Sequence, residues 1–295
     1  MITPFTEDGK VDYKAVKSLV DWYIRKGADG IFAVCQSSEM FFLNNDEKRD
    51  IAKAVVEAAD GRIPVVASGH TSDSFSDQLK ELEMIAKTGV DAVVLVSNRL
   101  ARENDPDSVI IANANRIFSE LPEITFGLYE CPYPYLKLVS DDFIRDVSAN
   151  GKLSFVKDVS CSLEIEKRRA EIAKGTDLSL FNANTSTVLE SWKYGYAGYN
   201  GVMANFHIDL YKWMYLNYRT SPRVASELND FLTLAAVIEA RAYPVSAKYY
   251  QQQYGVPMST ETRSKSKALL NENGIHEIES LKREEDRWRI RLGLR

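Results

Sequence analysis

The sequence predicts an α/β protein folded as a (β/α)8 TIM barrel with a C-terminal helical extension, and three observations carry that expectation. Short β-branched apolar runs recur along the chain, each followed by a longer stretch of helical period. The runs are continuously apolar rather than alternating, which suits strands buried on both faces of a parallel sheet. The strand-then-helix unit repeats at roughly 25–35 residues, the pattern of βα units with right-handed crossovers, and eight such units make a barrel. An open doubly wound sheet is the rival. No GxGxxG follows any strand and no P-loop motif occurs, so the barrel is preferred.

The predicted strands are ADGIFAV (28–34), IPVVASG (63–69), VDAVVLV (90–96), ITFGLY (124–129), LSFVKD (153–158), LSLFNA (178–183) and YNGVMA (199–204). Residues 1–4 are the candidate for an eighth stave ahead of them. Between the strands the helices have readable ends. Asp12 caps a segment that stops at Gly27, and Asn45 caps one that stops at Gly61. Ser74 opens a helix running to Gly89, Asp105-Pro106 opens another, and Gly175 and Gly195 follow two more. Beyond residue 204 strands cease, and helices are expected over 209–219, 222–241, 244–254, 260–273 and 276–291. Residues 1–220 are therefore expected to form the barrel and 221–295 a helical region.

Composition narrows the function classes. The 295 residues are 45% hydrophobic and 27% charged, ordinary values for a folded globular chain. Lys+Arg 37 against Asp+Glu 42 leaves a net charge of −5, which argues against nucleic-acid or anionic-membrane partners. Three cysteines, Cys35, Cys131 and Cys161, form no CxxC pair, which points to a reducing compartment. No apolar run approaches the roughly 18 residues of a membrane span and no signal-peptide core opens the chain. A cytoplasmic location is expected. His70, His207 and His276 show no HxH or HxxxH spacing, so no metal site is expected.

In a barrel the carboxyl ends of the strands converge on the active face. Those positions here are Cys35 to Glu39, His70, Ser97, Tyr129, Lys157 with Asp158, and 182–184. A lysine on an apolar strand has its ammonium partly desolvated, which lowers its pKa and exposes a neutral amine for attack on a carbonyl. The alternative is a lysine paired with Asp158 or snorkelling to the rim. Tyr129 ends the preceding strand, where a phenol can move the protons that imine formation requires. Its own alternative is a core tyrosine with a satisfied hydroxyl. His70 is read both as a pocket-lining group and as a structural histidine.

The order TPFTEDG, a hydroxyl-rich turn with Glu39 and LNNDEK, DGRIPVVASG, LYECP, FVKD and GYNGVMAN resembles the dihydrodipicolinate synthase/N-acetylneuraminate lyase family over nearly the whole chain. The resemblance implies a barrel with a C-terminal helical region. It also implies a Schiff-base lyase acting on pyruvate or another 2-keto acid, with no metal and no cofactor beyond the covalent imine. Carried over by position, Lys157 is the Schiff-base lysine and Tyr129 the tyrosine of the YNxP motif, here YECP. The GTTGE or GSTGE turn is here Cys35 to Glu39, so Gln36, Ser37 and Ser38 are expected to bind substrate. His70, Tyr133 and Met203 complete the expected binding set. The family's homotetramer is implied as well.

Departures shape the functional expectation. Gln36 replaces the first hydroxyl of the turn, and Ser38 replaces its second Gly. The arginine that grips the aldehyde substrate's carboxylate after YNVP has no match in residues 132–136, and the TPYY segment has none in 97–100. Tyr133 and Tyr135 suggest an aromatic second-substrate pocket, while Arg99 and Arg102 are candidates for a distal carboxylate. The expectation is therefore an aldolase or dehydratase acting on pyruvate or a 2-keto-3-deoxy acid. The alternatives are a dihydrodipicolinate synthase and a non-catalytic 2-keto-acid-binding member. Family members usually carry several more residues before TPF, so the start is expected to lie inside the first strand, or that stave to be unusually short.

Overall fold

A computed structural model describes residues 1–294, so Arg295, the last residue of the expected helical region, lies outside the described residues. Seven parallel strands pair strictly in sequence order. The βα alternation runs α1 (Tyr13–Arg25), β1 (Ile31–Ala33), α2 (Asn45–Ala59), β2 (Val65–Ala67), α3 (Phe75–Ala86), β3 (Ala92–Val96), α4 (Ser97–Leu100), α5 (Asp107–Glu120) and β4 (Phe126–Tyr129). It continues through α6 (Asp141–Asn150), β5 (Leu153–Asp158), α7 (Leu163–Ala173), β6 (Ser179–Asn182), α8 (Val188–Tyr194) and β7 (Gly198–Tyr199) to α9 (Ala204–Asn217). Three further helices follow: α10 (Pro222–Ala235), α11 (Val245–Gln253) and α12 (Glu272–Leu292). This is the barrel with a C-terminal helical extension that the sequence predicts.

The helix starts follow from side chains that satisfy otherwise orphaned amides. Asp12 Oδ1 accepts from the Ala15 N–H at 2.9 Å, and Ser74 Oγ from the Asp77 N–H at 3.2 Å. The cap of α2 is Asn44 rather than Asn45. Asn44 Oδ1 accepts from the Glu47 N–H and Glu47 returns the bond to the Asn44 N–H, a reciprocal box that Asn45 would not form.

Three expectations are corrected. Residues 1–4 form no strand. Ile2 and Thr3 are instead fully buried beside the turn after β1, where Thr3 Oγ1 donates to the Ser38 carbonyl at 2.9 Å and the Ser38 hydroxyl to the Met1 carbonyl at 2.7 Å. The seventh strand pairs only at Gly198–Tyr199, after which the chain turns directly into α9. The helix expected over 260–273 reduces to a single 3-10 turn at Lys267–Leu269. Tertiary bonds hold that segment open: the Arg263 and Ser264 amides both donate to Glu39 Oε2 at 2.7 Å, and the Arg263 guanidinium forks onto Glu47. Two good donors drawn to an acceptor elsewhere in the chain outweigh a modest local helix propensity.

The strands that matter for chemistry are β4 and β5. Tyr129 lies in register with Lys157. Gly127 makes their close approach possible, because a Cβ there would sit 2.3 Å from the Phe155 ring. Side chains alternate along a strand, so if Tyr129 and Lys157 face inward, Glu130 and Asp158 face the helix layer. There both carboxylates meet Arg169 of α7. Arg169 Nη2 donates to Glu130 Oε1 and Nη1 lies against Asp158 Oδ2, each at 2.7 Å, with all three side chains buried. The remaining acceptor sites are filled as well: Glu130 accepts the Val139 and Val159 amides, and Asp158 accepts the Ser160 amide and the Tyr196 hydroxyl.

Breaking a buried ionic cluster by removing one partner leaves uncompensated charge, which costs about 3–5 kcal/mol. Arg169→Met is expected to lose stability on that scale in urea or thermal unfolding. Burial raises the Asp158 pKa, but Arg169 and the bonds from Ser160 and Tyr196 more than offset that and hold it below the usual carboxylate value. Such a group contributes stability above its unfolded pKa that is lost as pH falls through the folded one. The gap between wild type and Arg169→Met is therefore expected to narrow as pH falls below about 4, the ordinary unfolded carboxylate value, and a gap constant from about pH 5 to pH 2 would refute the charge-based account.

Candidate active site

At the carboxyl ends of the strands a cavity of about 650 Å³ opens. Lys157 and Tyr129 both line it. The Lys157 Nζ lies 4.3 Å from the centre of the Tyr129 ring and 5.6 Å from that of Phe32. It makes no ion pair to any described carboxylate, because Asp158 points to the opposite face of β5 and is engaged by Arg169. The choice left open by the sequence is thereby resolved: this lysine neither pairs with Asp158 nor snorkels, being 8% exposed. Burial pushes its pKa below the usual lysine value.

The Tyr129 hydroxyl donates to Gln36 Oε1 at 3.0 Å. Burial drives its pKa well above the ordinary phenol value, so it is a neutral proton donor. Gln36 belongs to the Gln36–Ser38 single turn of 3-10 helix that follows β1. The amides that open such a turn have no acceptor within it. Ser37 presents its side chain to the cavity and to the Tyr243 phenol. The turn is closed by Glu39, which takes a left-handed φ of 62°. Its buried carboxylate holds that unfavourable backbone in place, bonded to Lys248 Nζ at 3.3 Å and to the Arg263 and Ser264 amides.

Of the expected binding residues, Gln36, Ser37 and Tyr133 line the cavity with Lys157 and Tyr129, and three do not. The Ser38 hydroxyl is turned away, donating to the Met1 carbonyl and accepting from the Cys35 amide. His70 is fully buried behind the wall, its Nδ1 accepting the Val96 N–H at 3.0 Å. Burial takes its pKa to about 4, which keeps it neutral at pH 7. Met203 lies in the core at the start of α9. The aromatic pocket is half realised: Tyr133 packs edge-on against Phe41, whereas the Tyr135 hydroxyl bonds the Asn98 carbonyl beneath the loop. Arg99 pairs with Asp73 and does not reach the cavity, and no arginine among the described residues lines it.

Sequence reasoning missed the wall supplied by the C-terminal region. Glu239 and Tyr243, between α10 and α11, face the strand ends, as do Ser264 and Lys265. No local pattern marks them, since only the packing of the extension brings them there.

A parallel barrel with a buried, unpaired amine beside a phenol at the floor of a cavity has the layout of a barrel enzyme. The sequence profile of the Dihydrodipicolinate synthetase family matches residues 1–276, and the chain belongs to that family of lyases. It is 27% identical over 257 residues to a 4-hydroxy-tetrahydrodipicolinate synthase of Chelativorans sp. (strain BNC1), covering 86% of each chain. Its fold matches a dihydrodipicolinate synthase from Bacillus anthracis with a TM-score of 0.85 at 20% identity, over 95% of this chain and 94% of that one. A dihydrodipicolinate synthase from Acinetobacter baumannii, complexed with pyruvate, matches with a TM-score of 0.84 at 20% identity, over 95% of both chains. Among the described residues no group of three His, Cys, Asp or Glu side chains is arranged to hold a metal ion.

A depressed amine pKa has a direct readout. In cyanate labelling resolved by peptide mass mapping, the Lys157 rate is expected to level off at a lower pH than that of exposed Lys80. Coincident profiles would mean that the amine is not desolvated.

Proposed function

We propose that this protein forms a Schiff base between Lys157 and the 2-keto carbon of pyruvate or a 2-keto-3-deoxy acid and uses it to make or cleave the neighbouring C–C bond, or to eliminate water. The observation that carries this reading is the buried Lys157 amine, without an ion pair to any described carboxylate and set against Tyr129. A neutral amine attacks the carbonyl, and Tyr129 transfers protons to and from the carbinolamine oxygen as it leaves as water. Ser37 and the opening amides of the turn hold the carboxylate of the 2-keto acid. The protonated imine then draws electrons from the adjacent bond, the role that a cofactor plays in other enzymes. No metal or organic cofactor enters the scheme.

The relatives' name supports a second reading, condensation of pyruvate with aspartate semialdehyde. The cavity does not favour it, since among the described residues no arginine lines the wall to pair with that substrate's carboxylate. In the proposed assignment residues 1–220 are the catalytic barrel and the helical region from residue 221 supplies one wall of the cavity. The family resemblance extends the proposal to a cytoplasmic homotetramer.

Borohydride reduction in the presence of pyruvate is expected to leave a stable adduct on the Lys157 peptide, absent from Lys157→Ala. Folded protein saturated with pyruvate that yields no adduct would overturn the mechanism. Tyr129→Phe is expected to lower kcat by about 10²–10⁴-fold, the usual contribution of a positioned proton-transfer group. Pyruvate release from a panel of 2-keto-3-deoxy acids, compared with coupled turnover of aspartate semialdehyde, decides between the two substrate readings.

A further inference from the structure

We propose that Glu239, supplied by the C-terminal helical region, is the acid–base group that takes and returns the proton on the carbon next to the imine. The proposal rests on the Schiff-base reading and adds to it a catalytic residue from outside the barrel.

Proton traffic at the floor of the cavity is blocked in one direction. Tyr129 donates to Gln36 Oε1, and a primary amide oxygen accepts a hydrogen bond without passing a proton onward. Tyr129 can serve the oxygen that leaves as water, but it has no relay behind it through Gln36. Carbon deprotonation needs a base that is free and ionised near neutrality.

Among the described residues the cavity holds two carboxylates, and one of them is engaged. Glu39 accepts from Lys248, Arg263 and Ser264. Glu239 sits on the 3-10 segment Ala236–Ala240 and lines the same cavity as Lys157, with no hydrogen bond or ion pair to any described residue. Neighbouring Arg241 is drawn off to Glu277 at 2.9 Å. The charged and titratable groups that share its surroundings are Lys157, Cys161, Tyr199, Tyr211 and Tyr243, with Lys265 on the cavity wall. Burial pushes Cys161 and the three phenols above their ordinary pKa values, so they are protonated and poor bases at neutral pH. Burial also raises the Glu239 pKa, to about 7, with Lys157 as the opposing influence. A carboxyl half-ionised at neutral pH serves as base in one direction and acid in the other.

The step balances. A C–H bond of the methyl group breaks, its electron pair forms the C=C of the enamine, the C=N electrons pass to the former iminium nitrogen, and the proton rests on a Glu239 oxygen. In the reverse direction the same oxygen returns it. No oxidant or further reactant is needed.

The experiment is exchange of pyruvate methyl protons into deuterated solvent, followed by NMR alongside borohydride trapping on Lys157. Wild type is expected to exchange with a rate that rises with pH through about 7 and then levels. Glu239→Gln is expected to trap pyruvate on Lys157 as wild type does, while exchange falls by about 10²–10⁴-fold and the pH-dependent limb disappears. Exchange within twofold of wild type with the limb intact overturns the proposal. So does a loss of trapping in a variant whose melting temperature is unchanged, since that would place Glu239 in imine formation. Should Glu239→Gln fail to fold, Glu239→Asp must exchange more slowly with the limb retained, and a wild-type rate there overturns the proposal equally. Absence of trapping in wild type itself defeats the Schiff-base reading and is distinguishable from all of these.

Discussion

The active face depends on a contact that lies behind it. Arg169 binds Glu130 and Asp158 at once, and these carboxylates are the immediate chain neighbours of Tyr129 and Lys157. Because a strand alternates its side chains, a residue and its successor point to opposite faces. Fixing the outer pair against α7 therefore fixes the inner pair against each other. The same guanidinium also keeps Asp158 on the far side of β5, so that no ion pair with it offsets the burial that lowers the Lys157 pKa.

A second polar centre performs a comparable service for the C-terminal region. Glu39 closes the turn that carries Gln36 and Ser37, and its carboxylate collects Lys248 from α11 and two amides from the 263–264 loop. Arg263 adds its fork to Glu47 at the start of α2. The extension is thus tied to the expected carboxylate-binding turn itself, which explains how residues more than two hundred positions from that turn come to wall the cavity. Burying so much charge is tolerable only because each ionised group has several partners.

Legibility differed between inner and outer faces of the molecule. The strands and most helix starts could be read because their causes are local: apolar runs for two-sided burial, and Asp12 and Ser74 as caps. Lys157 and Tyr129 could be placed at strand ends for the same reason. His70 and Ser38 occupy equivalent strand-end positions, yet both turn into the protein, His70 to receive the Val96 amide and Ser38 to brace the first residues. Strand position alone does not decide which way a loop residue faces, because that depends on which unsatisfied backbone group lies nearest. The segment 260–273 shows the same limit: the helix expected there gives way to bonds onto Glu39 and Glu47.

By itself the sequence determined the repeating βα order, the parallel sheet it produces, and a lysine and a tyrosine on adjacent strand ends. These follow from periodicity and chain order, which one residue and its near neighbours suffice to set. Only the tertiary structure decided that Lys157 is unpaired, that Gln36 receives the Tyr129 proton donor, and that Glu239 and Tyr243 form the opposite wall. Ionisation and catalytic competence depend on what surrounds a group in space, and in this protein those surroundings come from α7 and from the helices beyond the barrel.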